Sequence, residues 1–123
     1  MVNENNNIYE LSFKFSIRII NLYKYLTNEK KEFVLSKQLL RSGTSIGANV
    51  REARNAESKT DFIHKMGIAQ KECDETQYLI ELLRATDYIS EEEFSSIHKD
   101  NNSLLNILKS IILSTKKSIN HKQ

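Results

Sequence analysis

Apolar side chains recur at steps of three and four residues along almost the whole of this chain, and no proline interrupts them. That spacing stacks apolar groups on one face of a helix, whereas a strand alternates its faces at every residue. The first stripe is Ile8, Leu11, Phe15, Ile19, Leu22 and Leu26. It predicts a helix over about residues 8–27, with Asn7 and Glu10 as its start signal. Phe13, Ile17, Ile20 and Tyr23 add a second apolar set to the same segment. A helix that is apolar on more than one side is covered on more than one side. In a chain of 123 residues this points to self-association.

Thr27-Asn28-Glu29-Lys30 is a polar break in which Asn28 is competent to cap. A second helix follows over about 30–56, with the stripe Ser36, Leu39, Gly43, Ile46, Val50 and Ala53. Gly43 thus falls in an inward slot with Gly47 beside it, although each helical glycine costs about 1 kcal/mol relative to alanine. The expected compensation is close approach: a facing helix, or a bulky residue such as Tyr78, rests against the bare backbone. Ser58 and Asp61 have capping-box spacing and open a third helix over about 59–86. Its stripe is Phe62, Met66, Ala69, Cys73, Thr76, Ile80 and Leu83, flanked by Leu79 and Leu82. Ser90 and Glu93 open a fourth over about 90–117, helped by Glu91 and Glu92 at the positive end of its dipole. Phe94, Ile97, Leu104, Leu108 and Ile111 form its stripe, with Leu105, Ile112 and Ile119 alongside. Asn101 and Asn102 weaken its middle, and a polar tail over 118–123 frays. Four amphipathic helices with short links predict an all-α, up-and-down, left-handed four-helix bundle, one domain over residues 1–123.

Composition agrees: 39% of residues are hydrophobic, and 28% are charged with a net charge of only +2. A single cysteine excludes a disulfide within the chain and points to a reducing compartment. The N-terminus lacks the features of a signal peptide, and no apolar run approaches the roughly 20 residues that span a bilayer. The expectation is a cytoplasmic protein without a membrane contact.

Bundles that hold two metals need Glu-x-x-His on two helices together with further carboxylates. The chain offers Asp61-x-x-His64 once; Ser95 stands where His98 would need an acid, and His121 is in the tail. No metal or cofactor is expected, and His64 reads as a surface or partner-facing residue. Cys73 sits in a core slot among Glu72, Asp74 and Glu75. That setting suits a buried thiol and opposes a nucleophile, which needs positive surroundings. The glycines neither follow a strand nor end in Gly-Lys-Ser/Thr, so no phosphate-cradling loop is present. With no catalytic constellation visible, the chain is not expected to be an enzyme.

Charge is distributed unevenly. Residues 14–59 carry ten Lys and Arg against four Asp and Glu, and residues 61–100 carry four against ten. Lys37, Arg41, Arg51, Arg54 and Lys65 gather around the second helix and the turn to the third. Lys37, Arg41 and Arg51 project within about one quadrant of a helix, and Arg54 falls less closely beside Arg51. Such a face contacts phosphates without reading bases, and His64 could join it. The other reading pairs these cations with acids such as Glu52 and Glu57 or with the acidic helices of neighbouring subunits, in a protein-interaction scaffold that binds no nucleic acid.

Three stretches carry a family likeness: "QLLRSGTSIGANVREA" from Gln38, "AESKTDFIHKMGIAQKEC" from Ala56 and "DETQYLIELL" from Asp74. They resemble the bacterial four-helix-bundle family that includes the 23S ribosomal RNA intervening-sequence proteins. Many relatives carry proline where this chain has Gly47 and glycine where it has Ala53. The resemblance implies a homopentameric bundle of unknown biochemical function. The chain also looks like the accessory proteins of diversity-generating retroelements, pentameric barrels whose basic surface engages nucleic acid and reverse transcriptase. The likeness therefore implies a non-enzymatic homo-oligomer with RNA or DNA, or a protein such as a reverse transcriptase, as partner.

Overall fold

The computed structural model describes residues 4–121, with side chains described for residues 8–120. Four helices follow one another: α1 (Glu4–Asn28), α2 (Leu35–Arg54), α3 (Lys59–Ala85) and α4 (Glu91–His121). No strand occurs among the described residues. Each helix packs on its neighbours in sequence, and α4 closes onto α1. The cross-helix contacts fix the directions. Ile19 lies beside Gly43, while Ser12 lies beside Gly47. Arg41 reaches Glu72 and Glu75, while Glu52 reaches Lys65. Cys73 meets Asn101, and Glu81 meets His98. In each pair one number rises as the other falls, so the chain runs up, down, up and down, as the sequence predicts.

The predicted stripes become the core. All six stripe positions of α2 are buried, as are Met66, Ala69, Cys73, Thr76, Ile80 and Leu83 of α3. Leu39, Ile46, Met66, Ile80 and Leu108 are wholly inaccessible. Burying a side chain of this size stabilises by about 1.5–3 kcal/mol relative to exposure. Leu11 departs from its stripe: it is exposed on the α4 flank of α1.

The two inward glycines do allow close approach, but the partner is α1. A Cβ at Gly43 would stand 2.7 Å from Ile19 Cγ1, and one at Gly47 would stand 3.2 Å from both the Ser12 carbonyl oxygen and Ser16 Oγ. Tyr78 has no part in this: it is 62% exposed on α3.

Helix ends differ from the expectation where side chains compete for orphan amides. Helix α2 starts at Leu35 and not near residue 30, because Lys31 turns into the left-handed region with φ 55°. The Glu32 carboxylate then accepts the N–H groups of Val34, Leu35 and Ser36 at 3.2, 3.0 and 2.7 Å. Ser36 returns a hydroxyl bond to the Glu32 carbonyl at 2.7 Å. Asn28 closes α1 and caps nothing in α2. Helix α1 is already formed at Glu4, so Asn7 lies within it; the Asn7 side chain is outside the described ones. The start signals of the other two helices hold: Ser58 Oγ accepts from the Asp61 N–H at 3.0 Å, and Ser90 Oγ from the Glu93 N–H at 3.1 Å.

Asn101 does not weaken α4. It is wholly buried, and its amide donates to the Cys73 carbonyl at 3.1 Å and to Gln77 Oε1 at 3.2 Å. Nor does α4 fray at residue 118, for it is helical to His121; residues 122–123 of the expected tail lie outside the described residues.

Candidate nucleic-acid interface

Because α2 lies between α1 and α3, its outward face has two flanks, with Arg41 on one and Arg51 and Arg54 on the other. Toward α3, Arg41 donates to Glu72 at 3.0 Å and to Glu75 at 2.5 Å. Hydrogen bonds to Glu72 first and Glu75 second push the Arg41 pKa upward. Lys65 on α3 reaches Glu52 at 3.1 Å. These are partly exposed pairs and contribute about 1 kcal/mol or less each to stability. Their electrostatic effect is larger than that: two of the predicted phosphate contacts are neutralised within the chain. His64 is exposed on α3, next to Lys65 in the chain. Lys37 is exposed near the start of α2, beside Phe33, Val34 and Gln38.

Toward α1 the arrangement differs. Arg54 Cζ lies 4.1 Å from the Tyr9 ring centroid, and Arg51 Cζ lies 6.0 Å from that of Phe13. Each such contact contributes about 0.5–1 kcal/mol at an exposed site. The four side chains rim a groove of about 670 Å³ between the helices, with Ser12, Ser16, Gly47 and Ala48 along it. Gly47 keeps the groove open because no Cβ fills the space beside Ser16. Glu10 also lines the groove, and Lys14 pairs with it at 3.1 Å. Arg51 and Arg54 have no carboxylate partner among the described residues.

The expected basic face is therefore two groups. Lys37 and Arg41 lie toward one end of α2, and Arg51 and Arg54 are centred about 20 Å further along its axis. Tyr9 was absent from the sequence-based site, and Phe13 entered only as part of an apolar set. Neither is placed by helical periodicity, because pairing Tyr9 with Arg54 and Phe13 with Arg51 depends on the register of α1 against α2.

Two apolar patches remain outside. Ile17 and Ile20 lie on the outer face of α1, with Ile17 at 46% exposure, while Phe13, at 56%, faces the groove. Phe33 and Val34 are exposed where the chain enters α2. Inside, Cys73 is buried and its thiol is pushed up to about 12, by burial first and the nearby Asp74 charge second. At neutral pH it is a protonated core side chain that gives its hydrogen to the Asn101 carbonyl at 3.3 Å. Among the described residues no three His, Cys, Asp or Glu side chains converge as a metal cluster would require. No helix among them is long and apolar enough to cross a membrane.

The family model for 23S rRNA-intervening sequence proteins matches residues 4–110. Among solved structures, the chain is similar to a protein of unknown function from the S23 ribosomal protein family of Bacteroides thetaiotaomicron. The two are 54% identical and superpose with a TM-score of 0.88, over 89% of this chain and 98% of that one. No curated protein is significantly similar to the chain.

Proposed function

The chain belongs to the 23S rRNA-intervening sequence protein family, and from that premise we propose that it is a non-enzymatic, homo-oligomeric cytoplasmic bundle that offers a basic surface to nucleic acid, chiefly RNA. The observation that carries this reading is the pair Arg51 and Arg54, exposed on the α1 flank with no carboxylate partner among the described residues. Arg41 and Lys65 serve as the internal contrast, since their charges are met by Glu72, Glu75 and Glu52. Guanidinium groups left without acids are available to phosphates, and such binding depends little on sequence and strongly on salt. Lys37 adds to the same surface, and His64 and Arg41 contribute less.

The outward Ile17 and Ile20 of α1, and Phe33 and Val34 at the entry to α2, support self-association, while Phe13 faces the groove. The two patches differ in composition and lie on different parts of the molecule, which suits a head-to-tail contact that closes into a ring. A ring of five is the number that the family likeness implies.

Fluorescence anisotropy with a structured RNA, at low and at moderate salt, tests the proposal. Wild-type protein binds at micromolar concentration in low salt, and affinity falls as salt rises. The double variant Arg51→Glu/Arg54→Glu loses most of that affinity, whereas Arg41→Glu keeps most of it. Absence of binding by the wild type in low salt refutes the reading. A scaffold that contacts only protein, a reverse transcriptase for example, is the second reading, favoured by the internal pairing of Arg41 and Lys65. It leaves the oligomer intact and the RNA unbound.

A further inference from the structure

We infer that the groove between α1 and α2 takes unpaired nucleotides, their bases stacking on Tyr9 and Phe13 and their phosphates meeting Arg51 and Arg54. This rests on the nucleic-acid reading above and narrows it to single strands. Charge alone does not distinguish duplex from single strand; the rings do. Phe13 is more than half exposed and outside the core, and Tyr9, half-buried with one side packed against the core, stands one helical turn away on the same side. In the free protein each ring is met by a guanidinium, at 4.1 Å over Tyr9 and 6.0 Å over Phe13. A guanidinium over a ring lies where a base would stack, and moving it to a phosphate uncovers the ring and neutralises the charge together.

Spacing argues for separated bases. Four residues of helix place the two rings about 6 Å apart along α1. Stacked bases in a duplex strand repeat at about 3.4 Å, so these rings suit nucleotides already pulled apart. A paired helix hides the faces of its bases, and proteins that stack on bases accordingly select loops, bulges and ends. Aromatic platforms beside cations are the usual means by which single strands are held without reading sequence. The groove also supplies a polar edge. Ser16 spends its hydrogen on the Ser12 carbonyl at 3.0 Å, which leaves its oxygen to accept from an exocyclic amine. The Glu10 carboxylate that lines the groove is balanced by Lys14.

The test compares three labelled probes on the full-length chain at one salt concentration: a short single-stranded RNA, the same backbone with abasic positions, and a duplex of equal length. The single strand binds about tenfold or more tightly than the abasic strand, as stacking of a base on a ring predicts. Tyr9→Leu and Phe13→Leu lower single-strand affinity toward the abasic value and leave the abasic and duplex affinities unchanged. Light scattering and circular dichroism report whether these variants keep the assembly and helix content of the wild type. In parallel, a single strand carrying 5-iodouridine is photocrosslinked to wild-type protein, and the adducts are mapped; adducts on Tyr9 or Phe13 support the inference without any variant. Equal binding of all three probes, wild-type affinity in both leucine variants, adducts only elsewhere, or leucine variants that change assembly but not binding overturn the stacking site while leaving nucleic-acid binding in place. No binding of any probe at micromolar protein in low salt overturns both.

Discussion

Gly43 and Gly67 both lie within helices, and the space beside each gives the same substitution an opposite outcome. Alanine is about 1 kcal/mol better than glycine in a helix interior. At Gly67 nothing lies within 4 Å of an added Cβ, so Gly67→Ala collects that gain and raises the melting temperature by a few degrees. At Gly43 the new Cβ meets three Ile19 atoms between 2.7 and 2.9 Å. Ile19 is branched at Cβ and wholly buried, so it cannot swing clear. Overpacking of about 1–3 kcal/mol then outweighs the propensity gain, and Gly43→Ala lowers the melting temperature; Gly43→Leu lowers it further. An unchanged midpoint in Gly43→Ala contradicts this account. Cys73 gives a second prediction at this scale. Burial holds its thiol near 12 against an ordinary 9.0, so the unfolded chain ionises first as pH rises. The stability this confers is complete below pH 9.0 and is lost progressively as pH climbs toward about 12. Denaturant unfolding on either side of the lower value therefore shows a larger alkaline loss for wild type than for Cys73→Ala; equal losses refute it.

At the level of the element, the stripes of α2 and α3 were legible because a repeat of three and four states which face of a helix is inward. The start of α2 was not. Asn28 is a good cap by type, but the chain makes one further turn through Lys31, and Glu32 takes the amides instead. Nothing in the periodicity marks that turn. Burial raises the Glu32 pKa, but bonds from Leu35, Ser36 and Val34 together outweigh it and leave the carboxyl below its ordinary 4.5. A lowered carboxylate stabilises the fold above its unfolded value, and the contribution disappears as pH falls through the lower folded value. Glu32→Ala therefore destabilises by about 1–2 kcal/mol at neutral pH, as loss of a cap does. Glu32→Gln removes this part of the acid dependence, which unfolding curves at neutral and acid pH detect. An acid limb identical to that of wild type opposes the assignment. The groove was hidden for a related reason. Sequence spacing placed Arg51 and Arg54 on the outside of α2, but it carries no information on register, and register alone brings Tyr9 and Phe13 beneath them.

For the whole molecule, the charge asymmetry read from the sequence is partly resolved inside the bundle, by Arg41 on Glu72 and Glu75 and by Arg18 on Asp100. The Arg51 and Arg54 charges are left over, and their value to a nucleic-acid binder depends on how many copies act together. If the outer face of α1 joins one copy to the next, each assembly displays several grooves. A long strand then engages a second groove at an effective concentration in the millimolar range, and its apparent affinity rises by about 10²–10⁴ over that of a short strand. Ile17 separates assembly from binding. It is 46% exposed and outside the core, so Ile17→Glu costs the fold little. In an interface the same carboxylate would be buried without a partner, a penalty of several kcal/mol that favours dissociation. The expected variant is a folded monomer near 14.3 kDa by light scattering, with wild-type helix content by circular dichroism. It binds a short single strand as the wild type does and gains nothing from a longer one. An assembled Ile17→Glu shows that this face is not the contact. A wild type that is itself monomeric removes the ring and the length dependence together, while the groove and its two arginines still stand on the short-strand measurement.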